Sequence, residues 1–371
     1  MKNILVVIGT RPEAIKLAPV IRALKASSWV KPVVALTGQH RDLVRPILDA
    51  FDVQCDFDLD VMETAQTISA VTARVLEGLD RLLGSTPVDA VIGQGDTASV
   101  LAASMASFFQ RIPFAHVEAG LRTGNLDMPF PEEMNRVLTS RLAQWHFAPT
   151  ATARDNLLRE GVAENTIWVT GNTVIDALMH VLKNWPESVL PVRPERQFVL
   201  VTAHRRENLG EPLVQICLAV KDLAALYPEL DFVIPVHPNP LVRKTVYDRL
   251  TNVGNVILTE PFEYHSFCWL MKRARLILSD SGGVQEEAPA LGVPVLVLRE
   301  ETERPEAVAI GATRLVGTAR GNIVANASRL LNDTAAHSAM AGAGSPYGNG
   351  MSAAAIVEVL RASMLDIGFR A

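Results

Sequence analysis

The chain of 371 residues holds only three cysteines, Cys55, Cys217 and Cys268. They are odd in number, widely spaced and outside any CxxC arrangement. That pattern excludes a zinc ribbon, suits a reducing compartment and casts the cysteines as packing residues. Concentrated positive charge is lacking too. The net charge is -5 and the only basic run is the short His204, Arg205, Arg206 cluster, so a general polyanion binder is excluded and no nucleic acid partner is expected. No apolar run is long enough to cross a bilayer. The amino-terminal MKNILVVIGTRPEAIK runs into Arg11, Glu13 and Lys16 without a small-residue cleavage site, unlike a secretory leader. A soluble cytoplasmic protein without a membrane partner is the expectation. Neither GxxxxGK[ST] nor GxGxxG follows the first apolar run, which leaves nucleoside triphosphate hydrolysis and dinucleotide redox chemistry without support.

What is present is a composition of 49% hydrophobic and 20% charged residues, in a chain too long for one ordinary domain. Short apolar runs alternate with longer helical patterns: ILVVIGT, VVALTG, DAVIGQG, FAHVEAG and WHFAP in the first half, then IWVTG, FVLVTAH, DFVIPVH, NVILTE, LILSDSG and PVLVLRE in the second. Continuous apolar strands, each followed by a helix, are what a parallel sheet covered on both faces requires. The fold class is therefore α/β, with two Rossmann-like, doubly wound parallel-sheet domains whose facing sheets would leave a central cleft. TGN at 170–172 breaks the rhythm, and Trp185 to Gln197 is a looser, proline-containing segment. The expected division is 1–170, 171–351 and a carboxyl-terminal helix within 352–371 that packs on either domain.

In such sheets, ligands sit beyond the carboxyl ends of the strands. The polar residues there are Arg11, Gln39, His40, Asp96, Glu118, His204, His237 and the run Asp280 to Gly283. The segment from Phe114 to Arg136, FAHVEAGLRTGNLDMPFPEEMNR, combines a strand running out at Glu118 with a loop and a helix opening on Glu132 and Glu133. Those two glutamates also suit a helix N-terminus electrostatically; Glu118, at a strand end, has no such explanation. Arg11 and Lys16 lie in the first turns of a helix, where cations oppose the dipole unless an anionic ligand is bound. Asp96 in GQGDT equally suits a helix N-cap. Ser281, Gly282 and Gly283, between a strand and a helix, offer backbone N–H groups to a phosphate, or simply form a tight turn. Glu287, about one turn into that helix, suits a sugar's paired hydroxyls or is a solvated carboxylate. His204, Arg205 and Arg206 read as a diphosphate clamp or as a surface cluster paired to Glu207. His237, between prolines, is the weakest of the set.

Taken together, GTRPEAIKLAPV, TGQHRDL, GQGDT, HVEAGLRTGNL, PEEMNR, TAHRREN, DSGGVQEEAPALGVPVLVLRE, ETERPEAV and SPYGNG resemble the non-hydrolysing UDP-N-acetylglucosamine 2-epimerases over nearly the whole chain. The resemblance implies a glycosyltransferase-B-like arrangement, a homodimer, and reversible conversion of UDP-GlcNAc to UDP-ManNAc for surface polysaccharide synthesis, with no metal or redox cofactor. Carried across, Asp96, Glu118 and Glu132 match the family's catalytic carboxylates and His204 its active-site histidine. Arg11, Lys16, Arg205, Phe267, Ser281, Gly282, Gly283, Glu287 and Arg304 match substrate-binding positions, with Glu287 expected on the ribose. Gln39 and His40, joined by Arg206 and His237, resemble a second site where UDP-GlcNAc acts as an allosteric activator.

The family reaction rationalises this inventory. C2–H of the sugar is not α to a carbonyl, so UDP must begin to leave C1 before a carboxylate can take the C2 proton. The expected course is loss of UDP, a 2-acetamidoglucal intermediate, reprotonation on the other face and re-addition. Cationic and backbone donors stabilise the departing diphosphate, while carboxylates serve as base and acid. The chain departs from the commoner family pattern at Asp127 and Met128, just before Pro129 and Phe130, at Asp42, after Asp96, and at Phe262 and His265. A hydrolysing relative releasing ManNAc and UDP, a two-domain glycosyltransferase, a related epimerase of a modified UDP-sugar and a non-catalytic UDP-sugar sensor are the competing readings.

Overall fold

The computed structural model describes residues 1–38, 41–62, 66–187 and 195–365. These divide into two compact units, Met1–Ala177 with Tyr347–Ala371, and Leu178–Pro346. The division thus falls after Ala177 rather than at 170/171, and the chain returns to the first unit for its last helix.

The first unit is built on a seven-stranded sheet in the order β3-β2-β1-β4-β5-β6-β7. The strands are β1 (Lys2–Ile8), β2 (Val30–Leu36), β3 (Phe57–Asp58), β4 (Ala90–Gln94), β5 (Phe114–Val117), β6 (Trp145–Ala148) and β7 (Ile167–Val169). IWVTG, expected to open the second sheet, is instead the outermost strand of the first and pairs with β6 from His146↔Ile167 to Ala148↔Val169. The apolar pattern marked a strand there without saying which sheet it joins. β2 begins at Val30 and includes Pro32, which pairs with Ile4 on the β1 side. On the other side β3 pairs only with Ala35 and Leu36, so Pro32 withholds no hydrogen bond from a neighbour there.

The apolar strands are buried because helices cover both faces. Leu5, Val7, Val91 and Phe114 pack with Val75 and Leu79 of α3 (Ile68–Ser85) and with Val100, Ala102, Ala103 and Ala106 of α4 (Ala98–Phe109). Small buried residues along α4 let it lie close between α3 and α5 (Glu132–Leu142). Each fully buried Leu, Val or Phe contributes about 1.5–3 kcal/mol over leaving it exposed.

The second unit repeats the plan with six strands in the order β10-β9-β8-β11-β12-β13. They are β8 (Phe198–Thr202), β9 (Asp231–Pro235), β10 (Val256–Thr259), β11 (Leu276–Ser279), β12 (Val295–Val297) and β13 (Thr313–Leu315). Its core joins Val199, Phe232, Leu278 and Leu296 to Ile216, Val220 and Leu223 of α8 (Glu211–Leu226). Cys217 and Cys268 are buried as expected, but Cys55 is exposed and packs no core.

The final helix, α15 (Ser352–Leu365), packs on α1 (Arg11–Lys25). Its first turn is held by the Asp176 carboxylate, which accepts from Ser352 N at 3.2 Å and Ala353 N at 2.9 Å. Gly171 makes this docking possible: its φ is +87°, and a Cβ there would lie 2.6 Å from Ser352 Oγ. Among the described residues no helix is long and apolar enough to cross a membrane.

Candidate active site

Strand order decides where chemistry can sit. In the first sheet the chain winds outward from β1 in one direction and from β4 in the other, so β1 and β4 flank the switch point. The loops leaving them carry Thr10 with α1, and Asp96. In the second sheet the corresponding pair is β8 and β11, whose ends carry His204 and Asp280.

In the first unit Glu118 is the hub. Its carboxylate accepts from Lys16 Nζ at 2.5 Å, from Asn172 Nδ2 at 3.0 Å and from Gln94 Nε2, and its side chain is only 7% exposed. The backbone at Glu118 has φ +64°, a left-handed conformation that costs a non-glycine residue free energy and must be held by its surroundings. Lys16 therefore has a carboxylate partner that offsets its place near a helix N-terminus. Arg11 begins the same helix and is half-buried.

Asp96 is not the helix cap. α4 is capped by Thr97, whose hydroxyl accepts from Val100 N at 3.3 Å. The Asp96 carboxylate is instead engaged by Arg136, at 2.5 Å from Nη2 and 3.1 Å from Nε. Arg136 is buried and reaches in the other direction to Glu133, at 3.0 Å. Glu133 is not simply a helix-start charge: it is 1% exposed, and its other oxygen accepts from Thr123 N and Gly124 N, each at 2.9 Å. It pins the loop that follows Glu118. Glu132, half-buried next to it, has no hydrogen-bond or ion-pair partner among the described residues.

Two buried groups behind this cluster escaped the sequence reading. Glu13 accepts from Gly9 N at 2.5 Å, Thr10 N at 3.2 Å and Thr97 Oγ1 at 2.6 Å, tying the β1 loop to the β4 loop. Burial raises its carboxyl to about 7, against the pull of these hydrogen bonds. The T-x-x-E spacing of Thr10 and Glu13 is a capping-box signal that could have found it. His116 is fully buried and meets the Gly95 carbonyl at 2.7 Å, which fixes its proton on Nε2. Burial pushes that imidazole down to about 3, so it stays neutral.

In the second unit, Ser281 stands at the N-cap position of α11 (Gly282–Ala290) without a side-chain cap hydrogen bond. A Cβ on Gly282 would lie 2.6 Å from the Arg304 guanidinium, so only glycine lets Arg304 lie against this helix start. Arg304 Nε meets Glu286 at 2.7 Å, and Arg304 also pairs with Glu303. Glu303 further accepts from Arg299 at 2.8 Å and Arg205 at 3.3 Å. Burial alone would raise the Glu303 carboxyl, but Arg304, Arg299 and Arg205 outweigh it and hold it well below the usual range. Within the basic cluster Arg205 thus pairs with Glu303, while Glu207 pairs with Arg299 at 2.9 Å. Glu287 is buried, which excludes a solvated carboxylate, and accepts from the Tyr264 hydroxyl at 2.6 Å. Phe267 is half-buried on α10 (Tyr264–Arg273). His237 is exposed and stacks on His204, ring centroids 5.3 Å apart and planes 8° from parallel. Burial lowers its pKa, and the neighbouring His204 lowers it further. Gln39, His40 and the side chain of Arg206 lie outside the described residues.

These observations define a protein of two doubly wound α/β units, each with ionisable side chains gathered at its switch point. A family model for UDP-N-acetylglucosamine 2-epimerase matches residues 22–361. The UDP-N-acetylglucosamine 2-epimerase of Escherichia coli K12 is 48% identical over 375 residues, covering 98% of this chain and all of that one. A crystal structure of UDP-GlcNAc 2-epimerase from Neisseria meningitidis bound to UDP-GlcNAc is 47% identical, covers 96% of this chain and 99% of that chain, and superposes with a TM-score of 0.91. The S. aureus MnaA–UDP co-structure is 37% identical, with a TM-score of 0.92 over 100% of this chain and 99% of that one. The chain belongs to the UDP-N-acetylglucosamine 2-epimerase family.

Proposed function

We propose that the protein converts UDP-GlcNAc to UDP-ManNAc reversibly, without net hydrolysis, by elimination of UDP and its re-addition to 2-acetamidoglucal. One observation carries the reading: three carboxylates occupy the strand and helix ends after β4 and β5 in three different electrostatic settings. Glu118 is fixed by Lys16, Asn172 and Gln94, Asp96 by Arg136, and Glu132 is not ion-paired within the described residues. Carboxylates in unlike surroundings are what separate proton removal from proton delivery at C2.

Arg11 and Lys16 contact the nucleotide sugar in this reading, and His204 acts at the reacting sugar. Ser281, Gly282 and Gly283 offer backbone N–H groups to the diphosphate, Arg304 and Arg205 add positive charge, and Glu287 takes the ribose hydroxyls, with Phe267 at the base. As charge builds on the departing diphosphate, these donors stabilise it more than they stabilise bound substrate. Support for binding comes from relatives: the Neisseria structure holds UDP-GlcNAc, and a Methanocaldococcus jannaschii relative holds UDP-GlcNAc and UDP. The remaining parts of the proposal are a cytoplasmic homodimer that supplies precursors for surface polysaccharide, activated by UDP-GlcNAc at Gln39, His40, Arg206 and His237.

Incubation with UDP-GlcNAc in heavy water tests the reaction. The expected result is deuterium at C2 together with UDP-ManNAc. No exchange and no new UDP-sugar at an activating substrate concentration would refute it, and free ManNAc would select the hydrolysing alternative.

A further inference from the structure

Asp280 lies at the end of β11, beside the end of β8, and is completely buried. Its two oxygens have unlike surroundings. Oδ2 accepts from His204 N at 2.8 Å, Arg205 N at 2.8 Å and Asn208 Nδ2 at 2.9 Å. Oδ1 accepts no hydrogen bond within normal range among the described residues, and the atom it faces is His204 Nδ1 at 3.4 Å. A buried carboxylate oxygen left without a donor is costly. A proton on His204 Nδ1 supplies the donor, after a closing movement of a few tenths of an ångström. One face of the ring is covered by His237, stacked 5.3 Å away and 8° from parallel. His237 is itself oriented, since its Nδ1 accepts from Asn239 N at 3.2 Å.

We propose that Asp280 is a positioning residue for His204: it keeps the proton of the neutral imidazole on Nδ1 and so leaves Nε2 as the basic atom turned away from the buried carboxylate. The same three N–H groups that fix Oδ2 prevent the carboxylate from rotating to another arrangement. His204 thereby enters the reaction with its tautomer already chosen, because a carboxylate that only accepts cannot sit beside an unprotonated Nδ1 without repulsion.

The substitution Asp280→Asn tests this atom by atom. The amide oxygen must take the triply donated Oδ2 position, since an NH2 group there would face three donors. The amide NH2 then faces His204 Nδ1, which must become an acceptor, and the proton moves to Nε2. With 15N-labelled histidine and His204→Gln to assign the signal, the wild-type chain is expected to show neutral His204 protonated on Nδ1, and D280N to show it protonated on Nε2. Asn208→Ala separates this from mere scaffolding: it removes one donor to Oδ2 and is expected to leave the His204 tautomer unchanged. A wild-type proton on Nε2, an unmoved proton in D280N, or the same movement in N208A would each overturn the proposal. The wild-type spectrum needs no variant to fold. The kinetic arm rests on the epimerase reading: D280N should lower kcat on the order of 10²-fold while KM for UDP-GlcNAc stays within about threefold. An unchanged kcat with a moved proton would overturn the catalytic part. Absence of epimerisation by the wild-type chain would sink the proposed function instead, leaving the tautomer measurement to decide on Asp280.

Discussion

The two switch points share a topology and differ in chemistry. After β1, β4 and β5 the first unit places Glu118, Asp96 and Glu132, with Lys16 and Arg136 holding two of them by ion pairs. After β8 and β11 the second unit places a helix start stripped of side chains at Gly282 and Gly283, with Arg304 lying against it. In the proposed reaction the carboxylates of the first carry proton transfer at C2, while the second holds the diphosphate and adds His204. The winding of the sheet fixes where a site can be, and the residues leaving the strands fix what it does.

The sharpest way to break the comparison is to remove the proton chemistry and keep the anion site. Glu118→Gln should reduce C2 exchange by on the order of 10³-fold, with UDP binding still measurable by calorimetry; unchanged turnover would remove Glu118 from catalysis. Arg136→Ala strands Asp96 and the buried Glu133 together. The expected loss is about 3–5 kcal/mol of stability in a denaturant titration, and a loss below about 1 kcal/mol would show that the network is not what holds this loop.

Glu13 provides a subtler handle on the first unit. Its folded value of about 7 lies above the 4.5 of a free carboxyl, so the folded chain binds the extra proton between those pH values. The stability this confers is fully present below about pH 4.5 and is lost as pH rises through about 7, amounting to roughly 3 kcal/mol at most. Glu13→Gln keeps the hydrogen-bonding shape and should flatten that part of the stability–pH curve; a slope equal to that of the parent chain would place the titration elsewhere. The smallest expected effect is in the second unit. Gly282→Ala sets a methyl group 2.6 Å from the Arg304 guanidinium, and displacing that side chain should weaken UDP binding about tenfold, or about 1.4 kcal/mol. C2 chemistry at saturating substrate should change far less than in E118Q.

Much of this architecture was legible in the sequence because strands covered on both faces must be continuously apolar, and the polar residue after each one marks its end. What was hidden had specific causes. IWVTG reads as a strand, but three residues cannot say which sheet they join. Glu132 and Glu133 are neighbours on a helix and point about 100° apart; pattern alone does not tell which turns inward, and Glu133 does. Asp96 and Thr97 are both good capping residues, and the choice of Thr97 is what leaves Asp96 for Arg136. Asn172 sits in a TGN that reads as a break between domains, yet it donates to Glu118 at 3.0 Å. Long-range partners of that kind leave no trace in local spacing.

The docking of α15 also constrains the order in which the protein can be made. Its first turn is held by Asp176, and Asn172 N donates to Tyr347 O at 2.7 Å. The unit that carries Glu118 and Lys16 therefore emerges from the ribosome without its last helix and must wait while the whole of the second unit is translated. During that interval the face of α1 that α15 will cover is open to water and to chaperones. A nascent chain halted before Tyr347 would present its carboxylates on a scaffold still missing one wall.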